Sequence, residues 1–163
     1  MKKILATGFL CLSISMFSQK YYSKISNTKI NQNRLEISKK FVNAYLNKCE
    51  NDDFTKFDEF TLSKRLEKFF SEKIEGSCKK SIEMYGKLTV LNLNSAYLNK
   101  YSKDYDPLDL YIFDVQSEKS QDIKYISVWV YHDQNVISGI WISKEKPLGK
   151  SKPKDDDKKE SAL

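Results

Sequence analysis

The amino-acid sequence predicts an α+β domain in which helices come first and an antiparallel sheet of about four strands follows. Between residues 33 and 85, apolar side chains recur at steps of three and four, the spacing of a helix that buries one face. After Gly86 they recur at every second position, which is the period of a strand. Helices followed by a run of strands with short turns are typical of the α+β class.

The first 19 residues, MKKILATGFLCLSISMFSQ, have the layout of a secretory signal peptide. A basic start at Lys2 and Lys3 precedes an apolar run that is shorter than the ~20 residues of a membrane-spanning helix. We expect cleavage after Gln19, export to the periplasm or the outside, and no membrane span in the mature chain. The alternatives are an uncleaved signal anchor and a lipid anchor on Cys11.

The domain is predicted to span residues 33–144, after a flexible lead-in at 20–32. The first helix ends at CENDDF, and DFTKFDEF predicts a short helix or turn. Thr61 is the expected N-cap of a third helix, which Gly76 ends. A last short helix then runs to Gly86.

Four stretches predict the strands: KLTVLNLNSAYLNKY, PLDLYIFDVQ, and the two arms of a closing hairpin at 124–131 and 136–143. In the first, strict alternation places Leu93 and Tyr97 on one face. The second is apolar on both faces, which predicts a central strand. Residues 145–163 are rich in Lys, Asp, Pro and Ser and predict a disordered, charged tail.

Composition excludes several classes of function. The formal charge of +6 includes Lys2 and Lys3, and the remaining excess is too small and too scattered for a nucleic-acid footprint. One histidine and few cysteines leave no zinc spacing, and the five glycines form neither a phosphate loop nor a dinucleotide fingerprint. We therefore expect no metal, no cofactor and no nucleic-acid partner.

Cys49 and Cys78 are the two cysteines that remain after signal cleavage. In an exported protein such a pair predicts one disulfide, and both lie near predicted helix ends. Two buried free thiols are the alternative.

Three residues are weak candidates for acid/base chemistry. Asp109 and Tyr111 are two apart on a strand and share a face, so they could work together if buried; Asp109 in open solvent would exclude this. His132, the only histidine, lies in HDQN, whose residues favour a tight hairpin turn. That position favours an exposed polar residue over a base that meets a carboxylate.

Aromatic side chains supply the weak ligand-binding candidates Tyr97, Tyr111, Trp129 and Tyr131, with Tyr101 as a further pocket residue. On the first arm of the hairpin, aromatic residues alternate with aliphatic ones. This predicts that one face of the strand packs on the helices, while the other meets another subunit, a ligand or solvent.

The stretches FVNAYLNKCENDDF, MYG and VWVYHDQNVISGIWI, in this order, resemble the NTF2-like superfamily, and more narrowly its small exported domains of unknown function. The resemblance covers about residues 33–144. It implies a cone-shaped fold, with the helices packed in the hollow of a strongly curved sheet, and a homodimer formed through the open face of that sheet. Enzymes of the superfamily carry an acid/base set in the hollow, but that set has no residue-by-residue match here.

Three functions follow as hypotheses. The first is a non-catalytic binding or interaction domain, with a protein partner, a small apolar ligand or a second copy as its target. The second is a small hydrolase or isomerase that uses Asp109 with a tyrosine. The third is an immunity or inhibitor protein that caps a toxin or an enzyme.

Overall fold

A computed structural model describes residues 21–100 and 106–148. The predicted signal peptide, Tyr101 and residues 149–163 of the predicted tail lie outside the described residues. Within them the chain forms two α-helices and five β-strands: β1 (Tyr22–Ile25), α1 (Gln32–Glu50), α2 (Lys64–Tyr85), β2 (Leu88–Asn99), β3 (Leu108–Ser117), β4 (Tyr125–Tyr131) and β5 (Ile137–Ser143).

The α+β class is confirmed, and the sheet has five strands where about four were expected. Its strands lie in chain order, β1-β2-β3-β4-β5, and every neighbouring pair is antiparallel. The additional strand, β1, comes from residues 20–32, which were predicted as a flexible lead-in; it pairs with β2 from Tyr22 opposite Asn99 to Ile25 opposite Ala96. The cone shape and the NTF2-like relationship stay predictions.

Helix α1 forms where the sequence places its apolar stripe. Asn31 is the N-cap, and its side chain accepts a hydrogen bond from the backbone N–H of Arg34 at 3.0 Å. The stripe is buried against α2 and the sheet, through Phe41, Val42, Tyr45, Leu46 and Cys49. One disulfide joins Cys49 to Cys78 of α2, as predicted, and both residues are buried.

Helix α2 is one continuous helix, so the expected break at Gly76 is wrong. Its N-cap is Ser63, whose hydroxyl accepts from Leu66 N–H at 3.3 Å, and not Thr61. Gly76 lies exposed in the helix interior, where the packing of Ile74 and Cys78 outweighs the weak helix preference of glycine.

Of the short helix or turn expected at DFTKFDEF, the structure has the turn, at residues 58–59, within an irregular loop over residues 54–60 between α1 and α2. Lys48 Nζ anchors the start of this loop through Asp53 Oδ2 at 2.8 Å and Thr55 Oγ1 at 2.6 Å. The contacts with Lys48 and Thr55 hold the pKa of Asp53 well below its usual range. The side chain of Phe57, which belongs to this loop, is buried against Phe70 of α2, with ring centroids 4.9 Å apart.

The sheet has a helix-covered face and a face without helices. Strand β3 is central, as predicted, and is buried on both sides: Tyr111 and Phe113 join the core under the helices, while Leu110 and Ile112 are buried on the other face. Two register shifts in β2 break the expected alternation, so Leu93 packs towards the helices. The face without helices is called the helix-free face below; it carries Tyr22, Tyr97, Leu110, Ile112, Tyr125, Ser127, Trp129 and Trp141.

Two glycines of α2 are expected to respond to alanine in opposite directions. Gly86, the C-cap, has φ 65° and ψ −150°, and an added Cβ would lie 2.8 Å from Glu118 Oε2. Gly86→Ala should therefore cost about 1–3 kcal/mol of unfolding free energy. Gly76→Ala is the matched control: nothing lies within 4 Å of an added Cβ, so alanine should stabilise by about 0.5–1 kcal/mol. Urea unfolding of both variants measures this, and a stabilised Gly86→Ala protein would contradict it.

Neither described helix combines the length and the apolar character needed to cross a membrane.

Candidate functional site

Asp109 gathers the predicted acid/base residues into one cluster. Its carboxylate is buried, with Arg34 Nε 2.7 Å from Oδ2 and His132 Nδ1 2.7 Å from Oδ1. The Tyr111 hydroxyl lies 3.3 Å from Oδ2 and donates to it, with the carbonyl of Asn31 at 3.5 Å as a second acceptor. We call Arg34, Asp109, Tyr111 and His132 the Asp109 cluster.

Three separate elements meet in this cluster. Asp109 and Tyr111 share a face of β3, as their two-residue spacing predicted, and this face points towards the helices. Arg34 lies in the first turn of α1, so the carboxylate meets the positive end of that helix as well as a guanidinium. His132 directly follows β4, where its backbone N–H donates to the Pro107 carbonyl at 2.9 Å.

Tyr111 is held in its neutral form. Burial, and then the negative charge of Asp109, raise the pKa of Tyr111 to about 12. The hydroxyl therefore keeps its proton and acts as a hydrogen-bond donor to the carboxylate. A phenol in this state can donate to an oxygen but does not supply a phenolate at neutral pH.

His132 is at the hairpin bend, as predicted, and it also meets a carboxylate. Since a carboxylate oxygen only accepts hydrogen bonds, Nδ1 carries the proton that faces Asp109. In the neutral ring this leaves Nε2 as the acceptor, and 46% of the side chain is exposed. The arrangement orients an imidazole as a general base requires.

Asp109 itself is not placed to touch a substrate. Its side chain is 2% exposed, and both oxygens already accept hydrogen bonds from Arg34, His132 and Tyr111. A buried carboxylate with compensated charge is the usual state of a structural ion cluster. The first role of the cluster is therefore structural: it holds α1 against the start of β3 and the end of β4.

The remaining ligand-binding candidates lie apart from this cluster. Tyr97 and Trp129 are on the helix-free face with Tyr22 of β1, whose ring packs edge-on against Tyr97 with centroids 6.5 Å apart. Trp129 Nε1 donates to the Tyr22 hydroxyl at 3.2 Å. Tyr131 ends β4 opposite Leu108. Tyr97, Trp129 and Tyr111 thus do not form one pocket, because Tyr111 faces the helices.

A groove between α2 and β5 was missed by the sequence analysis. It has a volume of about 280 Å³, and two of the five large apolar side chains that are exposed among the described residues line it, Phe69 and Met84. Trp141 borders the groove at the edge of β5, and its side chain lies on the helix-free face. Of the described residues that line it, Lys80 alone is charged. Ile140 and Ile142 of β5 form its other wall. We call this the edge groove.

β5 is an edge strand, and Ile137 is the one residue of it that pairs with a further described segment on the open side. Ile137 N–H donates to the Thr61 carbonyl at 2.9 Å, and its carbonyl accepts from Ser63 N–H at 2.9 Å, as a short parallel bridge. Residues of an antiparallel strand face their partner and face away in alternation. Ile137, Ile140 and Ile142 pair with Val130, Val128 and Ile126, which are alternate residues of β4. The N–H and C=O groups of Ile140 and Ile142 therefore point away from β4, as those of Ile137 do.

The roles of Phe69 and Arg34 could not be predicted from the sequence. Phe69 stands beside Phe70 in the stripe of α2, and the pattern could not tell which phenylalanine remains exposed. Arg34 stands at the start of the α1 pattern, 75 residues from its partner Asp109, and no local spacing links the two. Within residues 21–100 and 106–148, no group of three or more His, Cys, Asp or Glu side chains could hold a metal ion.

Comparisons with models of protein families, with curated proteins and with solved structures gave no match to this chain. The class that the described geometry defines is an α+β domain with two helices on one face of a five-stranded antiparallel sheet.

Proposed function

We propose that this chain is an exported, non-catalytic protein-interaction domain that binds its partner at the edge groove. One observation carries the proposal: Phe69 and Met84 are exposed in one groove, and Trp141, which is 60% exposed, lies on the other face of the edge strand that borders it. Exposed apolar side chains that cluster in this way mark interaction surfaces more often than isolated ones do. Trp, Phe and Met are also enriched where proteins meet.

Export is supported by two features. The N-terminal sequence has the layout of a signal peptide, and the Cys49–Cys78 disulfide suits an oxidising compartment. An immunity or inhibitor protein is one form that such an interaction domain can take.

A non-catalytic role is supported by the Asp109 cluster. The carboxylate that would act with a tyrosine is enclosed by Arg34, His132 and Tyr111, so the predicted hydrolase or isomerase site has no open face at Asp109. The cluster is better suited to holding α1 on the sheet.

Site-specific photo-crosslinking in cells tests the proposal. A benzophenone amino acid replaces Trp141, which is exposed on β5 beside the groove, and a matched control carries it at Lys39, which is exposed on α1. We expect adducts with another protein in the exported fraction from position 141 at several times the yield from position 39. Equal yields, or no adduct at position 141, would contradict the proposed function.

A further inference from the structure

We infer that the edge groove receives an extended segment of the partner protein, which adds to β5 as a further strand and places an acidic side chain beside Lys80. This inference rests on the proposed function and names the chemistry of the partner. Strand addition to a free sheet edge takes its affinity from main-chain hydrogen bonds and its specificity from neighbouring side-chain pockets.

The main-chain groups of β5 provide the first requirement. The N–H and C=O groups of Ile140 and Ile142 point away from β4, and they make no backbone hydrogen bond to another described segment. Unpaired groups along a strand edge form a ready template for another chain. Four main-chain hydrogen bonds are therefore open to an incoming segment.

The other edge of the sheet is built differently. β1 has four residues and carries an exposed lysine, Lys24, two features that discourage strand addition. β5 has seven residues, ISGIWIS, with no charge among them, and the exposed ring of Trp141 lies in its middle. Within the part of the chain that the structure describes, the β5 edge therefore lacks the protection that β1 has.

The protein already uses part of this edge for strand pairing. Thr61 and Ser63 bond to both main-chain groups of Ile137 in parallel orientation. Pairing stops there because Ser63 is the N-cap of α2 and the chain turns into the helix. An incoming segment would continue in line where residues 61–63 leave the edge, alongside Ile140 and Ile142.

The positive charge of Lys80 indicates that the segment bound in the edge groove is acidic. Lys80 makes no hydrogen bond or ion pair with described residues, whereas its neighbour Lys79 is paired with Glu75 at 2.6 Å. No acidic side chain lines the groove among the described residues, so a second copy would bring another Lys80 and no counter-charge. Residues 149–163 of this chain contain acids, but their apolar content is confined to Pro153, Ala162 and Leu163, which cannot fill an apolar groove.

The probe is a capped synthetic heptapeptide that alternates valine and glutamate. Its binding to the full mature chain is measured by isothermal titration calorimetry, and the backbone amides of residues 140 and 142 are followed by NMR. One control peptide has lysine in place of glutamate. Another carries N-methyl groups on the backbone amides that would donate hydrogen bonds to β5. The variants are Lys80→Glu and its matched control Lys79→Glu, which changes the same charge outside the groove.

We expect saturable binding of the valine–glutamate peptide, with shifts at both amides and none for the N-methylated peptide. Lys80→Glu should weaken binding about three- to tenfold and favour the lysine peptide, while Lys79→Glu should change affinity less than about twofold. No binding, or equal binding of the N-methylated peptide, would overturn the inference. Two further results would overturn it. A dimer in sedimentation analysis that the peptide disrupts would show that a second copy occupies the edge. Tighter peptide binding after deletion of residues 149–163 would show that this segment occupies it.

The crosslinking experiment and the peptide-binding experiment can be contradicted independently of each other. Adducts at position 141 without peptide binding would keep the proposed function and reject strand addition. Peptide binding without adducts would show a competent edge that the cell does not use, and would reject the proposed function.

Discussion

Replacement of Asp109 by alanine is expected to lower the free energy of unfolding by about 3–5 kcal/mol. The variant leaves the guanidinium of Arg34, which is 14% exposed, without its counter-charge. It also removes the nearer of the two acceptors of the Tyr111 hydroxyl, and the acceptor of His132 Nδ1. An ionised group that loses its partner inside a protein costs far more than the pair contributed, because its hydration is not restored.

Urea unfolding followed by fluorescence of the two tryptophans measures this effect. Glu36→Ala is the matched control, since it removes a carboxylate that pairs with Lys40 at 2.8 Å on the exposed face of α1. That change should stay within about 0.5 kcal/mol. An Asp109→Ala loss as small as the control would contradict a buried, mutually dependent cluster.

The double variant Arg34→Leu with Asp109→Leu separates the charges from the packing. It removes both buried ions together, so it should be more stable than Asp109→Ala alone. The difference would show that the cost comes from the charge left unpaired, and not from lost volume. A double variant less stable than Asp109→Ala would assign the cluster a packing role instead.

The sequence predicted those parts of the fold that depend on local periodicity. The helical stripe of α1, the two-sided apolar strand β3 and the closing hairpin lie where the pattern places them, because burial of one face requires that spacing over a short distance. Gly76 shows where this reasoning ends: tertiary packing of Ile74 and Cys78 outweighs a local preference of about 1 kcal/mol.

β1 shows a second limit. YSKI has no strong strand pattern of its own, and it becomes a strand because the free edge of β2 is available more than 70 residues later in the chain. The candidate site was predictable in the same partial way. The spacing of Asp109 and Tyr111 fixed their common face, while the approach of Arg34 and His132 depends on how α1 and the hairpin pack.

Loss of the Cys49–Cys78 disulfide is expected to cost about 3–4 kcal/mol of unfolding free energy, because the bridge closes a loop between residues 29 apart. In the unfolded chain the bridge restricts all the residues between the two cysteines, and this restriction is lost when the bridge is absent. The double variant Cys49→Ala with Cys78→Ala should therefore shift the urea midpoint down by about 1–3 M.

The control for this prediction uses the unmodified protein. Both cysteines are buried, so iodoacetamide should label neither in the native state without a reductant, whereas unfolding in urea with a reductant should expose both. Protein that is kept reduced, without alkylation, should then come close to the double variant in stability, since both lack the same constraint. If the double variant instead unfolds at the midpoint of the oxidised protein, the bridge adds nothing to stability. The packing of Phe57 on Phe70 and the contacts of Lys48 with the start of the loop would then be enough to hold it in place.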